Sequence, residues 1–132
     1  MADIDIELTL KGGEVTGGGR CYEPGSTVHG WLRLTPSEDV NCNRVLARLE
    51  WHTEGRGDRD GDCVAEVGLA EGDLTANSSV IQDFNLTVPS EPWSYAGHYI
   101  NVIWEVIVVV DIPLSRDVIR KEPIVVVPRR AR

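Results

Sequence analysis

The chain has 132 residues, the length of one domain, and its 21 acidic and 13 basic residues give a formal net charge of −8. Nucleic acids and anionic membranes attract clustered positive charge, so this balance argues against both as partners. Hydrophobic residues make up 42% of the chain, which argues against general disorder. A chain of this length buries roughly two-thirds of its extended surface on folding, so it can hold a core without metal or disulfide.

The three cysteines, Cys21, Cys42 and Cys63, are an odd number without CxxC spacing. They predict reduced thiols rather than a disulfide framework or a metal knuckle. The first residues have neither the basic nor the apolar stretch of a signal peptide. The longest apolar run, Val106–Val110, is far shorter than the roughly 20 residues that span a bilayer. We therefore expect a cytoplasmic protein without an integral membrane segment.

Apolar and polar residues alternate along most of the chain, a pattern typical of half-buried strands. The clearest segments are 4–10, 28–34, 45–51, 80–88, 99–112 and 124–127. Segment 99–112 is apolar on both faces toward its end, which predicts a central strand covered on both sides there. No segment has a helical pattern. We predict an all-β fold over residues 1–128, an antiparallel, immunoglobulin-like β-sandwich of about seven or eight strands, followed by a basic tail, 129–132.

Residues 54–73 interrupt the alternation with seven acids and two arginines, and predict a long hairpin loop that contains one short strand. Within it, Asp58, Asp60 and Asp62 alternate like the first ligands of a calcium loop. Cys63, however, stands where such a loop has glycine, and Leu69 stands where it has a bidentate acid. Two interpretations stay open: a solvated hairpin tip without a cofactor, and a calcium site built from these aspartates.

Four tryptophans give a second set of candidate site residues. Trp51 and Trp104 alternate with apolar residues, so we expect them in the core. Trp31 has polar neighbours and Trp93 lies in a loop, so we expect both to be exposed. An exposed tryptophan can anchor a protein interface or stack on a sugar ring. Protein binding and carbohydrate binding are therefore alternatives for these two residues.

Catalysis finds little support in the sequence. His29, His52 and His98 are the candidate bases, but the chain contains neither a GxSxG nor an HExxH motif. Cys42 is close to Arg44, which could lower the pKa of its thiol, yet its surroundings indicate an ordinary thiol in a turn. We expect no enzymatic activity.

Two motifs resemble markers of the arrestin N-terminal domain. The first consists of Tyr22, Pro24, Gly25, Val28, Gly30 and Leu32, and the second of Pro92, Ser94, Tyr95 and Gly97, followed by Val102, Trp104 and Val106. The second departs from the family pattern, because Trp93 is inserted after the proline and Trp104 stands where a tyrosine is usual.

The motif residues have physical roles of their own. Pro24 and Gly25 predict a tight turn, since proline fixes φ and glycine tolerates a positive φ. Gly30 inside a strand predicts a bulge or a close backbone approach. Tyr95 could form a corner in which a buried hydroxyl ties down the backbone, as in immunoglobulin-type sandwiches.

The resemblance implies an arrestin-like sandwich that acts as a non-catalytic protein-binding adaptor or scaffold, similar to the stand-alone modules of bacterial sporulation-control proteins and retromer subunits. Recognition of phosphorylated receptors does not carry over, because the first strand bears Asp3, Asp5 and Glu7 in place of basic residues. The familiar arrestins have two such domains. An open sandwich has edges that can pair, so we also predict a homodimer through a sheet edge or face.

Overall fold

The structure, a computed structural model, describes residues 3–17, 19–57, 59–97 and 99–128, and in these ranges the chain forms ten strands and no helix. In chain order the strands are β1 (Ile4–Lys11), β2 (Glu14–Thr16), β3 (Gly19–Tyr22), β4 (Thr27–Pro36), β5 (Val40–Gly55), β6 (Gly61–Leu74), β7 (Val80–Thr87), β8 (Tyr95–Ala96), β9 (Ile100–Asp111) and β10 (Val118–Val126). Nothing in these ranges forms a helix long and apolar enough to cross a membrane. The predicted tail, 129–132, lies outside the described residues.

Two sheets pack face to face, which confirms the predicted β-sandwich. The smaller sheet has the order β1-β4-β7, and the larger has the order β2-β3-β10-β9-β5-β6, with β8 paired to β9 beside β10. All neighbouring strands are antiparallel except β3 and β10, which run parallel. Strand β9 is central, as predicted, because it pairs with β5 on one edge and with β10 and β8 on the other.

The core lies between the sheets, where alternate side chains of facing strands meet. In β4, Val28, Leu32 and Leu34 are buried while His29 and Arg33 point outward. Trp104 is fully buried among the inward-facing residues of β9, which confirms its predicted place. Each fully buried valine or leucine side chain stabilises the fold by about 1.5–3 kcal/mol, so this cluster dominates the stability.

The predicted long loop at 54–73 is wrong, because most of this segment is strand. Strand β5 continues to Gly55 and β6 begins at Gly61, which leaves only residues 56–60 as the hairpin turn. Val64 and Leu69 are each an extra residue in β6 relative to β5, so the pair contains two bulges on this side. Each bulge shifts the alternation by one position, which hides the two-residue period of a strand.

The prediction that β9 is covered on both sides holds for one side only. Its inner face packs against the smaller sheet, but within the described residues no strand packs on the outer face. Ile107 and Val109 on that face are nevertheless only 7% and 8% exposed. In the sheet they are flanked by Leu46, Arg48 and Lys121.

The first motif forms the turn and the close contact that its sequence predicts. The Ser26 N–H donates to the Glu23 carbonyl (3.1 Å) across Pro24 and Gly25, and Gly25 has a φ of +83°. These features define a type II turn. Gly30 lies against the ring of Phe84 on β7, where a Cβ atom would overlap the ring.

The tyrosine corner is assigned to the wrong residue by the sequence. Tyr95 is 62% exposed, whereas Tyr22 is 1% exposed. The Tyr22 hydroxyl donates to the Lys11 carbonyl (2.9 Å) and so ties the end of β1 to β3. Burial raises the pKa of this phenol, and the charge of Arg20 partly offsets the effect.

Replacing Gly30 with alanine should destabilise the sandwich, because the new methyl group must displace the Phe84 ring. Overpacking of this kind costs about 1–3 kcal/mol, which will lower the urea midpoint at an unchanged slope. Gly68→Ala on β6 is the matched control, since a methyl group added there meets no atom within 4 Å. Equal midpoints for the two variants would contradict the packing described for Gly30.

Tyr22→Phe should cost about 1 kcal/mol, because it removes one hydrogen bond and leaves a carbonyl unpaired. Tyr95→Phe, at an exposed position, should leave the midpoint unchanged. Because the pKa of Tyr22 is raised in the folded state, the unfolded chain loses this proton first as the pH rises. The hydroxyl's contribution is therefore fully present below about pH 10 and is lost above it. A Tyr22→Phe penalty that stays constant from pH 8 to 11 would contradict this assignment.

Candidate interaction surface

The described residues of the acidic hairpin do not form a recognisable metal site. Asp58 lies outside the described residues. The Asp60 carboxylate accepts a hydrogen bond from the Gly61 N–H (2.8 Å), and Asp62 is the second residue of β6, opposite Trp51. Among the residues that the structure describes, no three His, Cys, Asp or Glu side chains are grouped so that they could hold a metal ion. Calcium binding stays a prediction.

The two tryptophans predicted to be exposed lie in different parts of the fold. Trp93 precedes β8 and is 52% exposed, and its indole N–H donates to the Ser90 carbonyl (2.9 Å). Trp31 is only half-buried, on the outer face of the smaller sheet between Thr9 and Asp83. Only Trp93 has the exposure expected of an interface anchor.

Two of the three thiols lie in surroundings that raise their pKa. Cys42 lies on β5, not in a turn, and is buried, and its thiol donates to the Gly72 carbonyl (3.3 Å). Burial raises its pKa, so the suggested activation by Arg44 is wrong. Partial desolvation and the Glu50 carboxylate also raise the pKa of Cys63. A raised thiol pKa lowers the fraction of reactive thiolate at neutral pH.

The histidines of the described residues are engaged in polar contacts at the surface. His29 contacts the side-chain oxygen of Asn85. His52 lies between Glu54 (3.0 Å) and Glu105 (3.4 Å) on the outer face of the larger sheet. His98 lies outside the described residues.

A groove of about 450 Å³ opens at one end of the larger sheet. Its lining is mainly apolar and consists of Ser94, Tyr95, Ala96, Asn101, Val102, Ile103, Ile124, Val125 and Val127. The groove exists because two strands share one edge of β9. Strand β10 pairs with β9 as far as Trp104, whereas β8 pairs with Val102 and Asn101. The interval between these pairings is left open.

The second motif holds the walls of this groove in place. The Ser94 N–H donates to the Val126 carbonyl (2.7 Å), and the Ser94 hydroxyl accepts from the Val126 N–H (2.8 Å). The Trp104 indole N–H donates to the Pro92 carbonyl (3.1 Å). A Cβ atom at Gly97 would lie 2.7 Å from the Ile100 carbonyl oxygen, so glycine is required in this tight turn between β8 and β9. The motif is therefore structural, and it shapes the groove.

Exposed apolar side chains concentrate at the same end of the sheet. Of the nine large hydrophobic residues exposed in the described ranges, five belong to this region: Trp93, Tyr95, Tyr99, Ile100 and Val127. The guanidinium of Arg56 lies over the Tyr99 ring at 5.5 Å. Contiguous exposed apolar surface that is rimmed by polar groups is typical of an interaction site.

Carboxylates flank the groove on the β5 side. Across the β5–β9 pair, Glu50 lies opposite Glu105, His52 opposite Ile103, and Glu54 opposite Asn101. Directly opposed residues of antiparallel strands share one face. The outer face therefore carries Glu50, Glu54 and Glu105 around Ile103, which lines the groove.

The fold and the motifs together define an arrestin-like β-sandwich. No protein-family model matches the chain, and no curated protein matches its sequence. Among solved structures, it is similar to Spo0M, the sporulation control protein of Bacillus subtilis, with a TM-score of 0.72 over 93% of this chain. The two sequences are 15% identical, so the similarity establishes the fold alone, and this chain spans 49% of the length of Spo0M.

Proposed function

We propose that this chain is a non-catalytic adaptor or scaffold module that binds a partner protein by taking an apolar side chain into the groove between β8 and β10. The observation that carries the proposal is the apolar groove with Trp93, Tyr95 and Val127 exposed around it. Interface hot spots are enriched in aromatic side chains and surround pockets that a partner side chain fills. The fold alone names no function, because sandwiches of this type carry many.

Two further observations support the proposal. The raised pKa values of Cys42 and Cys63 favour a binding module over an enzyme with a nucleophilic thiol. Spo0M is a sporulation control protein, which agrees with a regulatory role at the level of fold analogy. All three cysteines are free, which supports the cytoplasmic location that we propose.

Val127→Asp and Tyr95→Ser should weaken partner binding, because they place polar groups at the rim of the groove. Both residues are exposed, so the fold should remain intact. Leu114→Asp is the matched control, since Leu114 is exposed in the turn beyond the opposite end of β9. We expect a partner captured by the wild type to bind the groove variants about 10-fold more weakly, measured by calorimetry. Equal affinities for all variants would refute the groove as the site.

A homodimer is the second part of the proposal, and the edges of the sheets suggest which strand would form it. Strand β2 has only three residues, and β6 is interrupted by its two bulges. Two copies of β1 would bring their acidic residues together. Strand β7 has eight residues in unbroken register with β4, and its Ile81 is exposed. Antiparallel pairing of two β7 strands would extend the smaller sheet and cover Ile81.

Ile81→Lys should weaken this dimer, because a lysine on an edge strand opposes pairing with a second strand. Leu114→Lys is a control with the same change of charge at an exposed site. Light scattering across micromolar concentrations should give twice 14.6 kDa for the wild type and the control, and a lower mass for Ile81→Lys. A mass of 14.6 kDa for the wild type throughout this range would rule the dimer out.

A further inference from the structure

Two of the carboxylates beside the groove are placed where they are unfavourable for the stability of the sheet. Glu50 and Glu105 lie directly opposite each other on β5 and β9. Like charges at directly opposed positions destabilise a sheet. A position at which a sequence departs from local stability without compensation is a candidate functional site.

The cations of this face compensate the pair only in part. Arg48 is bound to Glu66 on β6 (2.9 Å), His52 is shared between Glu54 and Glu105, and Lys121 on β10 lies opposite Ile107. Glu50 has no ion-pair partner among the described residues. His52 and Lys121, set against Glu50, Glu54 and Glu105, leave a net negative charge next to the groove.

We propose that the groove accepts a segment of the partner in which an apolar anchor is followed, two or three residues later, by lysine or arginine. This inference rests on the proposed function and adds the chemistry of the partner. The apolar anchor would fill the groove beside Ile103 and Val125, and the basic side chain would pair with Glu105 and Glu50. Charge complementarity selects this occupant, because an acidic segment would add a further negative charge to the face.

The spacing of the motif follows from strand geometry. Neighbouring strands lie about 4.8 Å apart, so the β5 carboxylates are about 10 Å from the line of β10 and β8. An extended peptide that crosses the strands advances about 3.4 Å per residue. Two or three residues advance about 7–10 Å, so a basic residue at these positions reaches Glu50 on β5, with Glu105 on β9 in between.

The test is a titration of ¹⁵N-labelled protein, followed by NMR, with three synthetic ten-residue peptides. The peptides share one leucine anchor in a glycine–serine background and carry lysine, glutamine or glutamate at the second and third positions after it. All three should shift the amide signals of Ile103, Val125 and Val127. For each ion pair that a peptide lysine forms, the lysine peptide should bind about two- to fivefold more tightly than the glutamine peptide, as expected for exposed ion pairs. This advantage should disappear in 1 M salt.

Matched variants separate a local effect from the overall charge of the protein. Glu50→Gln with Glu105→Gln should remove the preference for lysine, while the urea midpoint stays equal or rises. Glu14→Gln with Glu71→Gln changes the net charge equally at exposed positions on β2 and β6, and should keep the preference.

The outcomes distinguish this inference from the proposed function. Equal affinities of the lysine and glutamine peptides, with binding weakened in Val127→Asp, would overturn the inference and leave the groove as a binding site. A preference for lysine that is lost equally in both double variants would also overturn it, because the overall charge would then suffice. Peptide binding that Val127→Asp leaves unchanged would overturn the proposed function itself.

Discussion

The division of one edge of β9 between two partners determines the shape of the candidate site. Strand β10 leaves β9 after Trp104, since it continues beside β3, where Val125 and Val126 pair with Cys21 and Tyr22. The remaining length of β9 pairs with β8. The two Ser94–Val126 hydrogen bonds hold the departing strand next to β8 and prevent the gap from closing. A groove at this position is thus a consequence of the sheet topology.

The alternating pattern predicted β1, β4, β5, β7 and β9. Each of these strands has one face on the core and carries enough apolar residues on it to reveal the two-residue period. It failed for β6, where the extra residues Val64 and Leu69 shift the period. It also gave no signal for β2 and β8, which have three and two residues. Their pairing depends on neighbouring strands and not on their own pattern.

The candidate site was only partly visible in the sequence. The exposure of Trp93 followed from its position in a loop, and the second motif marked the segment that forms one wall. The groove itself requires the departure of β10 from β9, which no local pattern encodes. The opposition of Glu50 and Glu105 depends on the register of β5 and β9, which are about 50 residues apart in the chain. The sequence also assigned the buried tyrosine hydroxyl to Tyr95 instead of Tyr22. Both residues lie close to a turn, and only the packing of the fold decides which hydroxyl is buried.

The similarity to Spo0M concerns the fold, whereas the charge of the groove region concerns the surface. At 15% identity the common feature is the sandwich, which requires apolar residues at alternate positions and tolerates many exchanges among them. The opposed glutamates are not required by such a core, and as like charges they lower its stability. A sheet would gain from glutamine or lysine at either position. The proposed recognition of a basic partner segment would account for their presence next to an apolar groove.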